Sequence, residues 1–192
     1  MDDRRSERFD PKIAGRPDLM NGRTSLTVYE GMTGMAENAF INVKGVHHTV
    51  TAEVEVPANA NGVIISQAGY FGGWTLYMKD GKVHHEYNFF ALERTNIAAP
   101  SALAAGKHTI VYEFTPDETK PGTGGKSTLS IDGKLVVEGH IPKTEPFAFS
   151  ADEGADVGVD NETNVSPDYL EGHNTFTGHI KQVTVDNSPK AK

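Results

Sequence analysis

From Val46 to Val56 the chain alternates: Val46, His48, Val50, Ala52, Val54 and Val56 fall on one face, and His47, Thr49, Thr51, Glu53 and Glu55 on the other. Successive side chains of an extended strand point to opposite faces, so this spacing reads as a half-buried strand that needs a second apolar layer to cover it. Two Asp-Gly pairs, Asp80-Gly81 and Asp132-Gly133, sit between further strand-like runs. Asp-Gly supplies the positive φ of tight hairpin turns. The pairs predict hairpins joining residues 73–79 to 82–89 and 127–131 to 134–138. Residues 107–115 and 175–186 read as long strands, 24–29 and 62–68 as shorter ones, and 116–126 as a Pro/Gly/Thr loop. The one helical hint lies around 101–105.

Short strands broken by turns, with 20 Gly and 10 Pro among 192 residues, predict an all-β fold, a two-sheet antiparallel jelly-roll sandwich. Residues 1–22 mix charge with Pro11, Gly15 and Pro17 and show neither period. They are expected to form an extended N-terminal arm or linker, residues 23–187 the β-sandwich domain, and residues 188–192 a disordered tail. The arm is locally basic through Arg4, Arg5, Arg8, Lys12 and Arg16, a charge pattern suited either to docking on an acidic surface or to a solvated linker.

Charge narrows the partners. With 26 acidic against 18 basic residues the net charge is −8, which argues against a nucleic-acid binder or a polybasic membrane anchor. No run of about 18 apolar residues exists, and residues 1–10 lack the apolar stretch of a secretory signal. The expectation is a soluble chain without a membrane partner, cytoplasmic or, as a piece of a longer protein, periplasmic. The absence of cysteine removes disulfides, thiolate metal sites and cysteine nucleophiles together.

Several separated motifs carry a family likeness. Ala14-Gly15-Arg16-Pro17-Asp18-Leu19, Asn61-Gly62-Val63-Ile64, Gly69-Tyr70-Phe71-Gly72-Gly73-Trp74-Thr75-Leu76-Tyr77 and Asp80-Gly81-Lys82 before Glu86-Tyr87-Asn88 occur in order. They are followed by Phe147-Ala148-Phe149-Ser150-Ala151-Asp152-Glu153, Asp156-Val157-Gly158, Val165-Ser166-Pro167-Asp168-Tyr169 and Phe176-Thr177-Gly178. From about Glu7 onward the chain resembles the C-terminal region of microbial arylsulfatases. The resemblance implies a concanavalin A-like or laminin-G-like jelly roll. It also implies a sulfatase context without the sulfatase reaction. Enzymes of that family use a formylglycine made within a Cys/Ser-x-Pro-x-Arg motif, and this chain has no cysteine and no serine in that spacing. The implied role is that of a non-catalytic accessory domain. It would contact a sulfatase catalytic domain or chain, or form homo-oligomers through its sheets. A free-standing carbohydrate-binding module is the alternative.

Candidate sites compete with plainer readings. Tyr70, Trp74, Tyr77, His85 and Tyr87, with Phe71 and His84 nearby, surround the first predicted hairpin, and aromatic faces there would stack on a sugar ring. Equally, alternate members of that hairpin point into the core. The adjacent pairs His47-His48 and His84-His85 cannot each chelate one metal, because strand neighbours diverge. Asp152, Asp156 and Asp160 lie in an acidic segment that also holds Glu153, Asn161, Glu162 and Asp168. Such loop oxygens suit Ca²⁺, the one cofactor with candidate ligands, although they equally cap turns. Glu53 and Glu55 share a strand face but lack a Glu-x-Asp-x-x-Glu run, and no Gly-x-Ser-x-Gly marks a nucleophile elbow.

Overall fold

The computed structural model describes residues 19–20 and 22–188. The alternation at residues 46–56 becomes a strand whose even-numbered residues are buried and whose odd-numbered residues face outward. In chain order the strands are β1 (Ser25–Val28), β2 (His48–Val56), β3 (Gly62–Gly69), β4 (Gly72–Lys79), β5 (Lys82–Phe89) and β6 (Glu93–Ala98). They continue with β7 (Gly106–Pro116), β8 (Thr123–Ile131), β9 (Lys134–Lys143), β10 (Ala155–Val157) and β11 (His179–Asp186). A single 3₁₀ turn, Glu37–Ala39, interrupts them. Among the described residues no helix is long and apolar enough to cross a membrane.

Two antiparallel sheets result. The six-stranded sheet runs β1-β11-β2-β7-β8-β9 and the five-stranded sheet β10-β3-β4-β5-β6. This is the expected all-β two-sheet sandwich. Both predicted hairpins form, with Asp80 and Gly81 at φ 51° and 76° and Asp132 and Gly133 at 51° and 77°. Their inner faces meet in one core that includes Val50, Ala52, Val54, Ile110, Tyr112 and Phe114 from one sheet. Ile65, Trp74, Leu76, Met78, Val83 and Tyr87 face them from the other. Each fully buried large aliphatic contributes roughly 1.5–3 kcal/mol, so the core is the main source of stability.

Three expectations change. Residues 101–105 are not helical: Pro100 precedes them, Gly106 follows at φ 138°, and five residues are too few to nucleate a helix. Instead Leu103 N–H donates to the Gly81 carbonyl (2.8 Å), sealing the first hairpin turn. The strand expected from 175 starts at His179, and the loop expected through 126 gives way to β8 at Thr123. Residues 1–18 and 21 of the expected arm, and 189–192 of the expected tail, lie outside the described residues.

The five-stranded sheet is covered on its outer face as well. Residues 158–178 return across it as an irregular strap, held by Gly158 N–H to the Ile64 carbonyl (3.0 Å) and Val63 N–H to the Asn174 carbonyl (2.8 Å).

Candidate functional site

Strand parity decides where the hairpin aromatics go. Trp74 pairs with Tyr87 and Leu76 with His85, all on the inner face. Trp74, His85 and Tyr87 are at most 7% exposed. The Trp74 indole N–H donates to Gln67 Oε1 (2.8 Å), and the Tyr87 hydroxyl accepts from the Glu145 backbone N–H (2.7 Å). Tyr77, of opposite parity, lies on the outer face beneath the strap, and Tyr70 is exposed in the β3–β4 turn. The five residues expected to make one sugar-stacking face are therefore divided among the core, the covered face and a turn. Alternation along a strand forbids Trp74 and Tyr77 from sharing a face.

The covered face is polar. Tyr77 O–H donates to Asp168 (2.6 Å), Lys79 Nζ donates to the other Asp168 oxygen (2.8 Å), and Asn96 donates to the Tyr77 oxygen (2.7 Å). Burial alone would raise the Asp168 carboxyl, but the Lys79 and Tyr77 donors hold it below the usual carboxylate range. Ser166 and Asn96 both donate to Glu86 Oε2, at 2.9 and 3.0 Å, and Arg94 Nε lies 3.4 Å from its second oxygen. The Ser166 hydroxyl is fully buried and committed to Glu86, so it is no exposed nucleophile.

The acidic segment is built into the same layer. Asp156 accepts from the Gly34 N–H (2.7 Å) and the Asn161 N–H (3.0 Å). Asp160 accepts from Tyr169 O–H (2.6 Å) and the Val165 N–H (3.0 Å), and burial pushes its carboxyl up to about 6 against those donors. Asp152 stands exposed on the loop. Among the described residues no three His, Asp or Glu side chains converge as a metal set. Of the three candidate Ca²⁺ ligands, Asp156 and Asp160 accept backbone N–H groups as turn caps.

The histidine pairs also split. His48 and His85 are core residues, whereas His47 contacts Glu113 (3.0 Å) and His84 stacks on Tyr77 with centroids 5.0 Å apart.

Two open surfaces stand out among the described residues. At one end of the five-stranded sheet, three adjacent loops expose large apolar side chains: Tyr70 and Phe71 (71% exposed), Phe90 and Leu92 (83%), and Phe147 (69%). Asn88 ties the first two loops together. Its Nδ2 donates to the Gly69 and Tyr70 carbonyls (3.0 and 2.7 Å), and its Oδ1 accepts the Ala91 N–H (2.9 Å). The 145–149 loop abuts Gly72 through the Phe149 carbonyl and the Glu145 carboxyl. Phe90 and Ala91 both adopt left-handed backbone, φ 52° and 56°, where Asn-Gly is the usual choice. The strain of about 1–2 kcal/mol per residue is held in place by the surrounding bonds.

The second surface is a groove of about 420 Å³ on the open face of the six-stranded sheet, lined by Glu53, Glu55, Lys107, His108, Thr109, Asp132, His179 and Lys181. Glu53 accepts from Lys181 and Gln182, both at 2.6 Å, which lowers its pKa. A bulge between Ile180 and Gln182 turns Lys181 into the groove. Asp132 accepts from the Thr109 N–H (2.9 Å) and from His108 Nδ1 (2.7 Å), and these two bonds lower its pKa. His108 Nε2 faces the Ala104 carbonyl (2.9 Å). Burial opposes charge on His108, but Asp132 and the carbonyl outweigh it and raise the pKa. An oxygen acceptor at each ring nitrogen favours the doubly protonated imidazole. Sequence reading placed Glu53 and Glu55 on an exposed face but could not find their groove neighbours. Those arrive from β7, β11 and the β8–β9 turn.

No protein-family model matches the sequence, and no curated protein matches it. Solved structures do. The CBM40 module of a Ruminococcus gnavus IT-sialidase, bound to alpha2,3 sialyllactose, superposes with TM-score 0.59 at 14% identity over 88% of this chain and 92% of that one. Domains LG4-5 of the mouse laminin alpha1 chain give 0.58 at 15% identity, over 86% of this chain. The fold is a laminin-G-like jelly roll. The receptor-binding domain of botulinum neurotoxin type G gives 0.51 at 13% identity over 86% of this chain and 42% of that one. The chain spans about 40% of the laminin chain it matches. Identities this low speak to the jelly roll alone and lend no support to the arylsulfatase likeness.

Proposed function

We propose that this chain is a non-catalytic accessory β-sandwich that works through protein contact, with the apolar loop end as its contact surface. The observation that carries the reading is the strained Phe90-Ala91 turn, which holds Phe90 and Leu92 out beside Tyr70, Phe71 and Phe147. A patch of this kind on a rigid frame favours a partner over open solvent. The likeness of residues 69–77 and 147–158 to the arylsulfatase C-terminal region makes a sulfatase catalytic domain or chain the partner to test. Sulfuric ester hydrolysis would belong to that partner, since this chain has no cysteine and no Ser-x-Pro-x-Arg.

The test is capture from an extract of the native cells with the tagged chain, followed by identification of bound proteins and assay with p-nitrophenyl sulfate. The expected result is a chain bearing the Cys/Ser-x-Pro-x-Arg motif, captured with activity and lost when Phe71→Ser is combined with Leu92→Ser. Capture of no sulfatase-type chain, or undiminished capture by a folded double variant, overturns the reading.

A second reading, a carbohydrate-binding module, is favoured by the open polar groove and by the likeness to nearly the full length of a module bound to a sialylated sugar. The burial of Trp74, His85 and Tyr87 removes the aromatic version of that idea and leaves the groove. Binding of any panel saccharide by the purified chain supports it.

A further inference from the structure

We propose that the groove on the six-stranded sheet binds a neutral saccharide, with Glu55 and Lys107 engaging adjacent hydroxyls of one pyranose ring. The inference rests on the carbohydrate-binding reading and gives it a site and a ligand class.

The argument begins with what is already paired. Glu53 is held at both oxygens, Asp132 is held by a backbone N–H and by His108, and His108 is held at both nitrogens. His179 pairs with Glu30 outside the groove lining. These groups form walls whose bonding capacity is largely taken up by their neighbours. Glu55 and Lys107 differ. They are direct cross-strand partners of β2 and β7, both exposed, and among the described residues neither side chain makes a hydrogen bond or ion pair. The Thr109 hydroxyl, two residues along the same face of β7, likewise has no hydrogen bond among the described residues.

One free carboxylate and one free ammonium side by side nearly cancel at a distance, so an ion gains from one what it loses to the other. A neutral vicinal diol gains from both. One hydroxyl donates to Glu55 and its neighbour accepts from Lys107, giving two charge-assisted hydrogen bonds, while Thr109 is placed to take a third. The volume of about 420 Å³ lies within the range of small-ligand sites. Among the described residues no Trp, Tyr or Phe lines the groove, so binding lacks their stacking contribution and is expected to be weak, with Kd on the order of 1 mM.

The test is an amide NMR titration of the intact chain with maltose, cellobiose and lactose, and with glucose 6-sulfate as the charged counterpart. The expected result is shift changes at Glu55, Lys107, Thr109 and Asp132 with at least one neutral disaccharide. Lys107→Ala and Glu55→Ala should each weaken that binding by about tenfold, the scale of one charge-assisted bond. Because both side chains are exposed and unpaired, these variants keep the fold. Lys126→Ala, on the same sheet outside the groove, should leave binding unchanged. Shifts confined to other amides overturn the groove while leaving the module reading standing. Groove shifts with the sulfated sugar alone overturn the neutral class. Titrations without shifts for any sugar overturn both the site and the module reading.

Discussion

The imidazole of His85 lies flat on the phenol of Tyr112, with centroids 3.5 Å apart and planes within 7°. On the facing strand, His48 stacks on Phe114 at 5.4 Å. Burial pushes His48 down to about 4 and His85 well below the ordinary histidine value, and His85 Nδ1 has no hydrogen-bond partner. Burial thus favours the neutral form of both rings in the folded core.

Acid should therefore unfold the protein through these two residues. The unfolded chain takes up their protons below about pH 6.5 while the folded chain refuses them, so stability present above that pH is lost as pH falls toward about 4. His48 alone accounts for roughly 3 kcal/mol over that window. Urea midpoints measured across the window should fall steeply in the wild type and less in His85→Phe, which keeps the ring stack. Parallel pH profiles in the two proteins would sink this account.

Glu145 should act at the other end of the scale. Burial, and then the neighbouring Glu37 charge, push its carboxyl up to about 8, and its Oε2 is buried without a partner. A raised carboxyl stabilises the fold below the unfolded value of about 4.5, and that contribution is lost as pH rises through about 8. Glu145→Gln should raise the melting temperature above about pH 8 and converge on wild type below about pH 4.5. Thermal melts at both extremes check the sign.

Relieving the β5–β6 turn should trade contact for stability. Replacing Phe90-Ala91 with Asn-Gly suits the left-handed backbone at both positions and should add about 1–2 kcal/mol. It also deletes an exposed ring of the proposed contact end. Chemical denaturation should show the gain while partner capture declines; a loss of stability would mean that Phe90 packs more than it projects.

Gly73→Ala should be among the most damaging single changes. Gly73 sits at φ 133°, and a Cβ there would strike the Gln67 carbonyl oxygen, at the place where Gln67 also receives the Trp74 indole. A loss of at least ~3 kcal/mol is expected, read as a lowered denaturation midpoint.

The strands were legible because alternation and Asp-Gly turns are local signals. β2 and both hairpins follow from residues that meet their own neighbours. β6 was not legible, since Glu93–Ala98 offers Ile97 as its one buried hydrophobic residue. The three-residue β10 is too short to show a period. The strap was hidden for a different reason. Thr75, Glu86 and Asn88 are polar side chains on one strand face, and only the strap with Ser166, Asp168 and Tyr169, distant in sequence, covers that face and buries them. The same parity that found the hairpin separates Trp74 from Tyr77, so that part of the aromatic site was open to correction from the sequence. The groove was not. Residues 53–55, 107–109 and 179–181 become neighbours only through the strand order β11-β2-β7.

The pairing of β1 with β11 has a further consequence. Thr24 and Asn187 are joined by a 2.8 Å backbone hydrogen bond, so the polypeptide enters and leaves the sandwich side by side on one sheet edge. A host protein could carry the whole jelly roll in a surface loop, opening that loop by little more than the spacing of two strands, and grafting the sandwich into an unrelated scaffold should leave both folds intact.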